Sequence, residues 1–239
     1  MPKALVLGSL GCIGSEVVKF YLNEAWEVHG VDNDMRKHIY GEDASVAKNK
    51  VDHMNYYHYG VDISKIDGII EHEKPDVIVH AAAQTSAEYS LSNPITDFGI
   101  NAYATLMLLE MARKHTPEAV FIYLSVAEEA DYSPMKISKM TGELYTQLYC
   151  ASYGLNSGVF KCYRVTGSKD IFRELMFLSP EPLIHASDLA QAIFHFSKNP
   201  KPGMIYNFTD NGGVMAFALH YLGFKARYND WAIREELKQ

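Results

Sequence analysis

Paired cysteines, an excess of positive charge and long apolar runs are what this chain lacks. Its three cysteines, Cys12, Cys150 and Cys162, are odd in number and contain no C-x-x-C pair. That spacing argues against a disulfide framework and a structural zinc site. His80 has no second histidine or carboxylate at ligand spacing, so it reads as a packed strand-end residue and no metal is expected. Twenty-two Lys and Arg stand against 29 Asp and Glu, a formal charge of −7, which leaves no chain-wide basic field for a nucleic acid. A local anion pocket stays open. No stretch approaches the ~18 apolar residues of a membrane span, and Ala4–Leu7 after Met-Pro-Lys is too short an apolar run for a signal peptide. The expectation is a soluble, cytoplasmic protein with no membrane or nucleic-acid partner.

What is present is enough apolar material for one sizeable domain: 239 residues, 48% hydrophobic. Short β-rich runs alternate with segments of helical period, the order of an α/β doubly wound parallel sheet. Strands are expected at Lys3–Leu7, Glu27–Val31, Asn55–Tyr59, Asp76–His80, Val120–Leu124 and Gly158–Val165. Helices are expected at Ile13–Asn23, Ile66–His72, Ile95–Lys114 and Pro134–Tyr153. Each crossover is long enough to return the chain to the same edge of the sheet. Beyond Gly167 the pattern thins to helices near Asp170–Phe177, Ser187–Ser197 and Val214–Tyr221 and a strand near Met204–Phe208. Residues 1–167 therefore read as a dinucleotide-binding Rossmann unit. Residues 168–239 read as a reduced C-terminal substrate region on the sheet edge, too small to be an independent domain.

Gly8-Ser9-Leu10-Gly11-Cys12-Ile13-Gly14 follows an apolar strand and opens a helix. Backbone N–H groups and a positive helix end then sit where a pyrophosphate would bind. Glycine serves a tight turn and close phosphate approach. Asp32 closes the second strand 18 residues past Gly14, where an acidic side chain accepts hydrogen bonds from an adenosine ribose. A carboxylate there repels a 2′-phosphate, which favours NAD over NADP, with Arg36 and Lys37 nearby keeping the second choice open.

From residue 1 to about 210 the chain resembles the extended short-chain dehydrogenase/reductases, the NAD-dependent nucleotide-sugar epimerases and dehydratases. The motifs that carry the likeness include Pro75-Asp76-Val77-Ile78-Val79-His80-Ala81-Ala82-Ala83-Gln84 and Asn93-Pro94-Ile95-Thr96-Asp97-Phe98 with Asn101. In these stretches it looks like the CDP-paratose 2-epimerase branch, also called CDP-tyvelose epimerase. The resemblance implies that Asp62 and Ile63 contact the adenine, Ala81, Ala82 and Ala83 line the cofactor cleft, and Asn101 is an active-site asparagine. It also implies that Gln84 meets substrate. Read from spacing alone, Asp62 is equally well a helix N-cap.

The family's reaction uses a tyrosine base, a lysine one helical turn later and a serine or threonine that bonds the reacting sugar oxygen. Ser133-Pro134-Met135-Lys136-Ile137-Ser138-Lys139-Met140-Thr141-Gly142-Glu143 matches the family's S-P-Y-x-x-S-K-x-x-G-E. Lys139 takes the lysine position and Met135 the tyrosine position. A thioether cannot exchange a proton. Leu124-Ser125-Val126-Ala127-Glu128 resembles the S-T-x-E turn, with Val126 at the hydroxyl position and Glu128 at the acid of the dehydratases. Tyr132 with Lys136 forms a literal Y-x-x-x-K in a competing frame. Lys161-Cys162-Tyr163-Arg164-Val165-Thr166-Gly167 resembles R-x-x-N-x-x-G, placing Arg164 where it could grip a diphosphate. His185-Ala186-Ser187-Asp188-Leu189-Ala190 follows after a shorter insertion than most members carry.

Two readings follow. One is an NAD-dependent nucleotide-sugar epimerase or dehydratase, with Lys139 on the nicotinamide ribose and Glu128, Tyr132 or water as acid/base. The other is a catalytically silent NAD(H)-binding sensor or interaction protein on the same fold. A homodimer is expected through the helices Ile95–Lys114 and Pro134–Tyr153, which carry Leu106, Leu109, Met111, Leu144 and Leu148 beyond one sheet-facing stripe. The family commonly pairs these helices.

Overall fold

The structure is a computed structural model that describes residues 1–126, 132–162, 164–167 and 184–208. Seven strands form its main sheet: β1 Lys3–Leu7, β2 Glu27–Val31, β3 Tyr56–Tyr59, β4 Val77–His80, β5 Val120–Val126, β6 Ser157–Cys162 and β9 Ile205–Phe208. Their order across the sheet is β3-β2-β1-β4-β5-β6-β9, every pair parallel. Central strands such as Val77-Ile78-Val79 and Phe121-Ile122-Tyr123 are apolar on both faces because helices cover both sides. β7 Val165–Thr166 and β8 Ile184–His185 form a separate two-stranded ladder.

On one face lie α1 Cys12–Asn23 and α8 Ala186–Lys198. Val17, Val18, Tyr21 and Leu22 of α1 pack with Trp26, Phe194 and Phe196, and the buried Tyr21 hydroxyl donates to Ser197 Oγ at 2.8 Å. On the other face lie α3 Asp67–Glu73, α6 Ala104–His115 and α7 Pro134–Tyr153, over Leu5, Ile78, Phe121 and Tyr123. Between β4 and α6 run α4 Ala87–Ser92 and α5 Pro94–Phe98, and α2 Met35–Tyr40 follows β2. α7 matches its expected bounds because both ends are signalled. Ser133 Oγ accepts from Lys136 N–H, Pro134 opens the first turn, and Gly154 at φ +72° closes the last.

Three expectations change. The helix expected over Ile95–Lys114 contains a wider π-turn at Gly99–Tyr103, where the Asn101 side chain is tied to the backbone of Gln84. The strand expected over Gly158–Val165 stops at Cys162, because Arg164 adopts φ +46° and turns the chain toward β8. In the C-terminal region Ile205–Phe208 joins the main sheet beside β6 and α8 packs on α1, so 184–208 extends the sheet instead of only lying beside it. The helices expected near Asp170–Phe177 and Val214–Tyr221 lie outside the described residues. No helix among the described residues is long and apolar enough to cross a membrane.

Candidate active site

Above the C-terminal ends of the strands lies a cleft of ≈ 770 Å³. The turn after β1 forms one wall. Gly8 sits at φ +80°, and a Cβ there would stand 2.7 Å from the Ala82 nitrogen; a Cβ on Gly14 would stand 2.0 Å from the Gly8 oxygen. Both glycines are demanded by the protein's own packing. Gly11 differs, since a Cβ there meets nothing closer than 3.4 Å and the residue faces open cleft. Cys12 and Ile13 begin α1 beside it, so the N-terminal turn of the helix lies at the cleft wall.

Asp32 is held by two backbone donors, Leu10 N–H at 3.0 Å and Asp34 N–H at 2.9 Å. Burial raises its pKa, and those two hydrogen bonds oppose the rise. Asn33 links this corner to the next strand by donating to Asp62 at 3.0 Å. Asp62 caps the 3-10 turn Ile63–Lys65, accepting Ser64 N–H at 2.9 Å, and also lines the cleft with Ile63. The cap and the cleft position therefore coexist. Ala81, Ala82 and Ala83 line the cleft beyond β4.

Gln84 and Asn101 do not line the cleft. Asn101 spends its side chain on the Gln84 backbone, and its amide also reaches Asp97 and Ser138 at 3.2 and 3.1 Å. The Gln84 amide donates to Asp97 at 2.8 Å and to the Ser86 carbonyl at 2.9 Å. Both side chains are buried, so the expected contact of Gln84 with substrate is corrected: Gln84 and Asn101 brace the wall from behind.

Lys139 reaches the cleft floor from α7. Its Nζ donates to the Leu124 carbonyl at 2.5 Å and lies 4.5 Å from the Tyr123 ring centre. Burial lowers its pKa to about 8, against the raising influence of Cys162 and Asp97. Gly142 permits this approach, because a Cβ there would stand 2.6 Å from the Tyr123 hydroxyl. That hydroxyl donates to the Lys139 carbonyl at 3.1 Å.

Ser125 and Val126 both line the cleft, and the Ser125 hydroxyl donates to Glu143 at 3.2 Å. Met135 lies in the first turn of α7 and does not line the cleft. Tyr132 is 86% exposed and precedes the helix, with Lys136 Nζ 5.8 Å from its ring centre; neither lines the cleft. The alternative Y-x-x-x-K pair is thereby corrected to a surface contact. Arg164 lines the cleft on its left-handed turn. Glu128 lies outside the described residues. Sequence reasoning passed over Cys162 and Tyr103, which also line the cleft. No motif announces Cys162, whereas Tyr103 stands two residues after Asn101.

Two groups of histidine and carboxylates meet elsewhere, Glu27–His29–Glu73 and Asp67–Glu71–His115, and neither lines the cleft. Lys3 Nζ sits in the first, 3.1 Å from Glu27 and 2.8 Å from Glu73.

The sequence profile of the NAD dependent epimerase/dehydratase family matches residues 4–176. The chain belongs to that family, and its cofactor is NAD. It is 26% identical over 206 residues to a putative UDP-glucose 4-epimerase of Methanocaldococcus jannaschii, covering 75% of this chain and 65% of that protein. It is 25% identical over 199 residues to CDP-paratose 2-epimerase of Salmonella typhi, covering 70% and 58%. The alignments thus span about three-fifths of these relatives' length. Among solved structures, the Bordetella bronchiseptica enzyme WbmF in complex with NAD+ superposes with a TM-score of 0.80 at 19% identity, covering 99% of this chain and 92% of that one. A UDP-glucose 4-epimerase from Thermotoga maritima, solved with UDP-glucose, gives 0.77 at 20%, covering 99% and 97%. The cleft fits the cofactor: Gly11 leaves the turn open for a pyrophosphate, and the carboxylate of Asp32 borders the same space.

Proposed function

We propose that the chain acts on a nucleotide-sugar as an NAD-dependent epimerase or dehydratase whose usual tyrosine and hydroxyl positions hold Met135 and Val126. The observation that carries this reading is the shared cleft: the Gly8–Gly14 turn, Asp32 and Lys139 all open onto one cavity. NAD supplies a reversible hydride acceptor there. Asp32 accepts from the adenosine ribose, and the N–H groups at the start of α1 meet the pyrophosphate. Lys139, fixed by the Leu124 carbonyl, holds the nicotinamide ribose. Arg164 suits the diphosphate of a CDP- or UDP-sugar, since its guanidinium can bind phosphate through two donors. The names of the similar proteins support this substrate class.

A homodimer through α7 accompanies this reading. Ile137, Met140, Leu144 and Leu148 form an exposed apolar stripe on α7, beside Leu91, Ile95 and Phe98 of the neighbouring short helices. Leu109 and Met111 are buried in the protomer, which removes them from that surface. Cytoplasmic residence accords with three cysteines that form no disulfide.

The silent NAD(H)-sensor reading is favoured by one observation: Val126 brings no hydroxyl to the cleft, and Met135 brings no acid or base. The deciding experiment measures NAD affinity by calorimetry and turnover on a panel of CDP-, UDP-, GDP- and dTDP-sugars, for the native chain and Met135→Tyr with Val126→Thr. Turnover by the native chain, or a gain in the double variant, supports a sugar-nucleotide site. NAD binding with no turnover in either supports the sensor, and no NAD binding defeats both.

A further inference from the structure

Cys162 ends β6, and its Cα is the register partner of Val126 on β5. Adjacent strands lie ~4.8 Å apart, and both residues line the cleft. The thiol therefore stands one strand over from the position where the family's motif carries a hydroxyl. Lys139 reaches the same floor, hydrogen-bonded to Leu124, two residues before Val126. Apart from a long contact to the Phe160 carbonyl at 3.7 Å, the described hydrogen bonds give the Cys162 sulfur no other partner.

We propose that Cys162 and Lys139 act as one acid/base pair that exchanges the proton of the substrate hydroxyl, where the family's motif uses tyrosine with lysine. The inference rests on the nucleotide-sugar reading above. In the oxidative half-reaction NAD+, when bound, would supply the acceptor for the C–H bonding pair that leaves the sugar carbon as hydride. The O–H bonding pair becomes the second bond of the new carbonyl. With the lysine as amine, the Cys162 thiol gives its proton to the amine and takes the proton of the substrate hydroxyl, leaving thiol and ammonium. Return of hydride and proton reverses each transfer.

Electrostatics supports the pairing. Burial pushes the thiol up to about 12 and the lysine down to about 8, while the lysine charge eases ionisation of the thiol. The first proton therefore leaves the lysine near pH 8 while the thiol stays protonated, and a group that titrates there suits general acid/base catalysis. Asp97 from α5 favours the lysine proton. Burial pushes His80 of β4 down to about 3, so it is neutral. The Tyr123 ring of β5 faces Nζ. Glu143 of α7 pairs with Lys161 of β6 at 3.5 Å, and Arg164 lines the cleft just past β6.

The test follows alkylation of Cys162 by iodoacetamide, read by peptide mass spectrometry from neutral to alkaline pH, in the native chain, Lys139→Met and Lys139→Arg. The expected native profile is low at neutral pH and climbs only in the alkaline range, because burial pushes the thiol up to about 12 while the lysine charge eases its ionisation. At neutral pH, where the lysine is charged, Lys139→Met should react at least about tenfold more slowly than the native chain, with partial recovery in Lys139→Arg. Identical profiles in native and Lys139→Met protein, each folded by circular dichroism, would overturn the pair. In single-turnover reduction of bound NAD by a nucleotide-sugar, Cys162→Ala should lose about 10²–10⁴ in rate while NAD affinity stays within about threefold. An unchanged rate in Cys162→Ala also overturns it. Failure of the native chain to bind NAD, or of any sugar to reduce it, counts instead against the underlying site reading, and the alkylation profile still decides whether the pair exists.

Discussion

At the β1–β2 end of the cleft, position after position is held by backbone geometry: Gly8 and Gly14 have no room for a side chain, and Asp32 is aimed by two N–H donors. At the β5–α7 end Lys139 is held as firmly, yet Val126 beside it has nothing to donate or accept and Tyr132 lies out on the surface. On the function proposed above, a scaffold for holding a dinucleotide and a set of groups for moving a proton are separable. The first depends on close backbone packing, which resists substitution. The second depends on a few side-chain tips, which can change without disturbing a strand.

The sharpest way to break this contrast is at the glycines. Gly14→Ala places a methyl against the Gly8 carbonyl and should cost more than about 4 kcal/mol of stability in urea unfolding. Gly11→Ala should fold with native stability and lose at least about tenfold in NAD affinity by calorimetry. Similar behaviour of the two variants would show that the turn does not divide into a packing part and a ligand part.

Next in size is the cost of burying Lys139. Its folded pKa of about 8 lies below the ordinary value of 10.5, so between these values the unfolded chain holds more protons and stability rises with pH. A tenfold change in proton affinity corresponds to about 1.4 kcal/mol. Lys139→Met should therefore be more stable than the native chain at neutral pH, with the gap closing above pH 8 in thermal or urea melts. A constant gap would mean that this lysine does not titrate abnormally.

Asp32→Ala tests the other end more gently. NAD affinity should fall about tenfold while NADP is spared, as measured by calorimetry with both cofactors. Equal binding of both cofactors by the native chain, unchanged in the variant, would remove Asp32 from the ribose site. Tyr132→Phe is expected to have the smallest effect, leaving NAD binding and any turnover within about twofold. Loss of turnover there would bring the surface frame back into the mechanism.

The alternation of Lys3–Leu7, Cys12–Asn23 and Glu27–Val31 was legible because each element carries its own period and its own stop signal. The glycine turn and the place of Asp32 at the end of β2 were legible for the same reason, as both follow from short-range backbone geometry. Gln84 was misplaced because its neighbours in the chain do not reveal that Asp97 and Asn101 enclose it from a later helix. Tyr132 was admissible by spacing alone, and only the start of α7 at Pro134 placed it outside the site.

By itself the sequence determined the doubly wound order, and it placed the glycine-rich turn after the first strand and Lys139, Met135 and Val126 at their motif positions, since all of these are local patterns along the chain. Tertiary structure decided that Cys162 stands beside Val126, that Asn101 braces a wall, and that Ile205–Phe208 completes the sheet. Those facts depend on strand register and on contacts between segments far apart in the chain, which no local periodicity encodes.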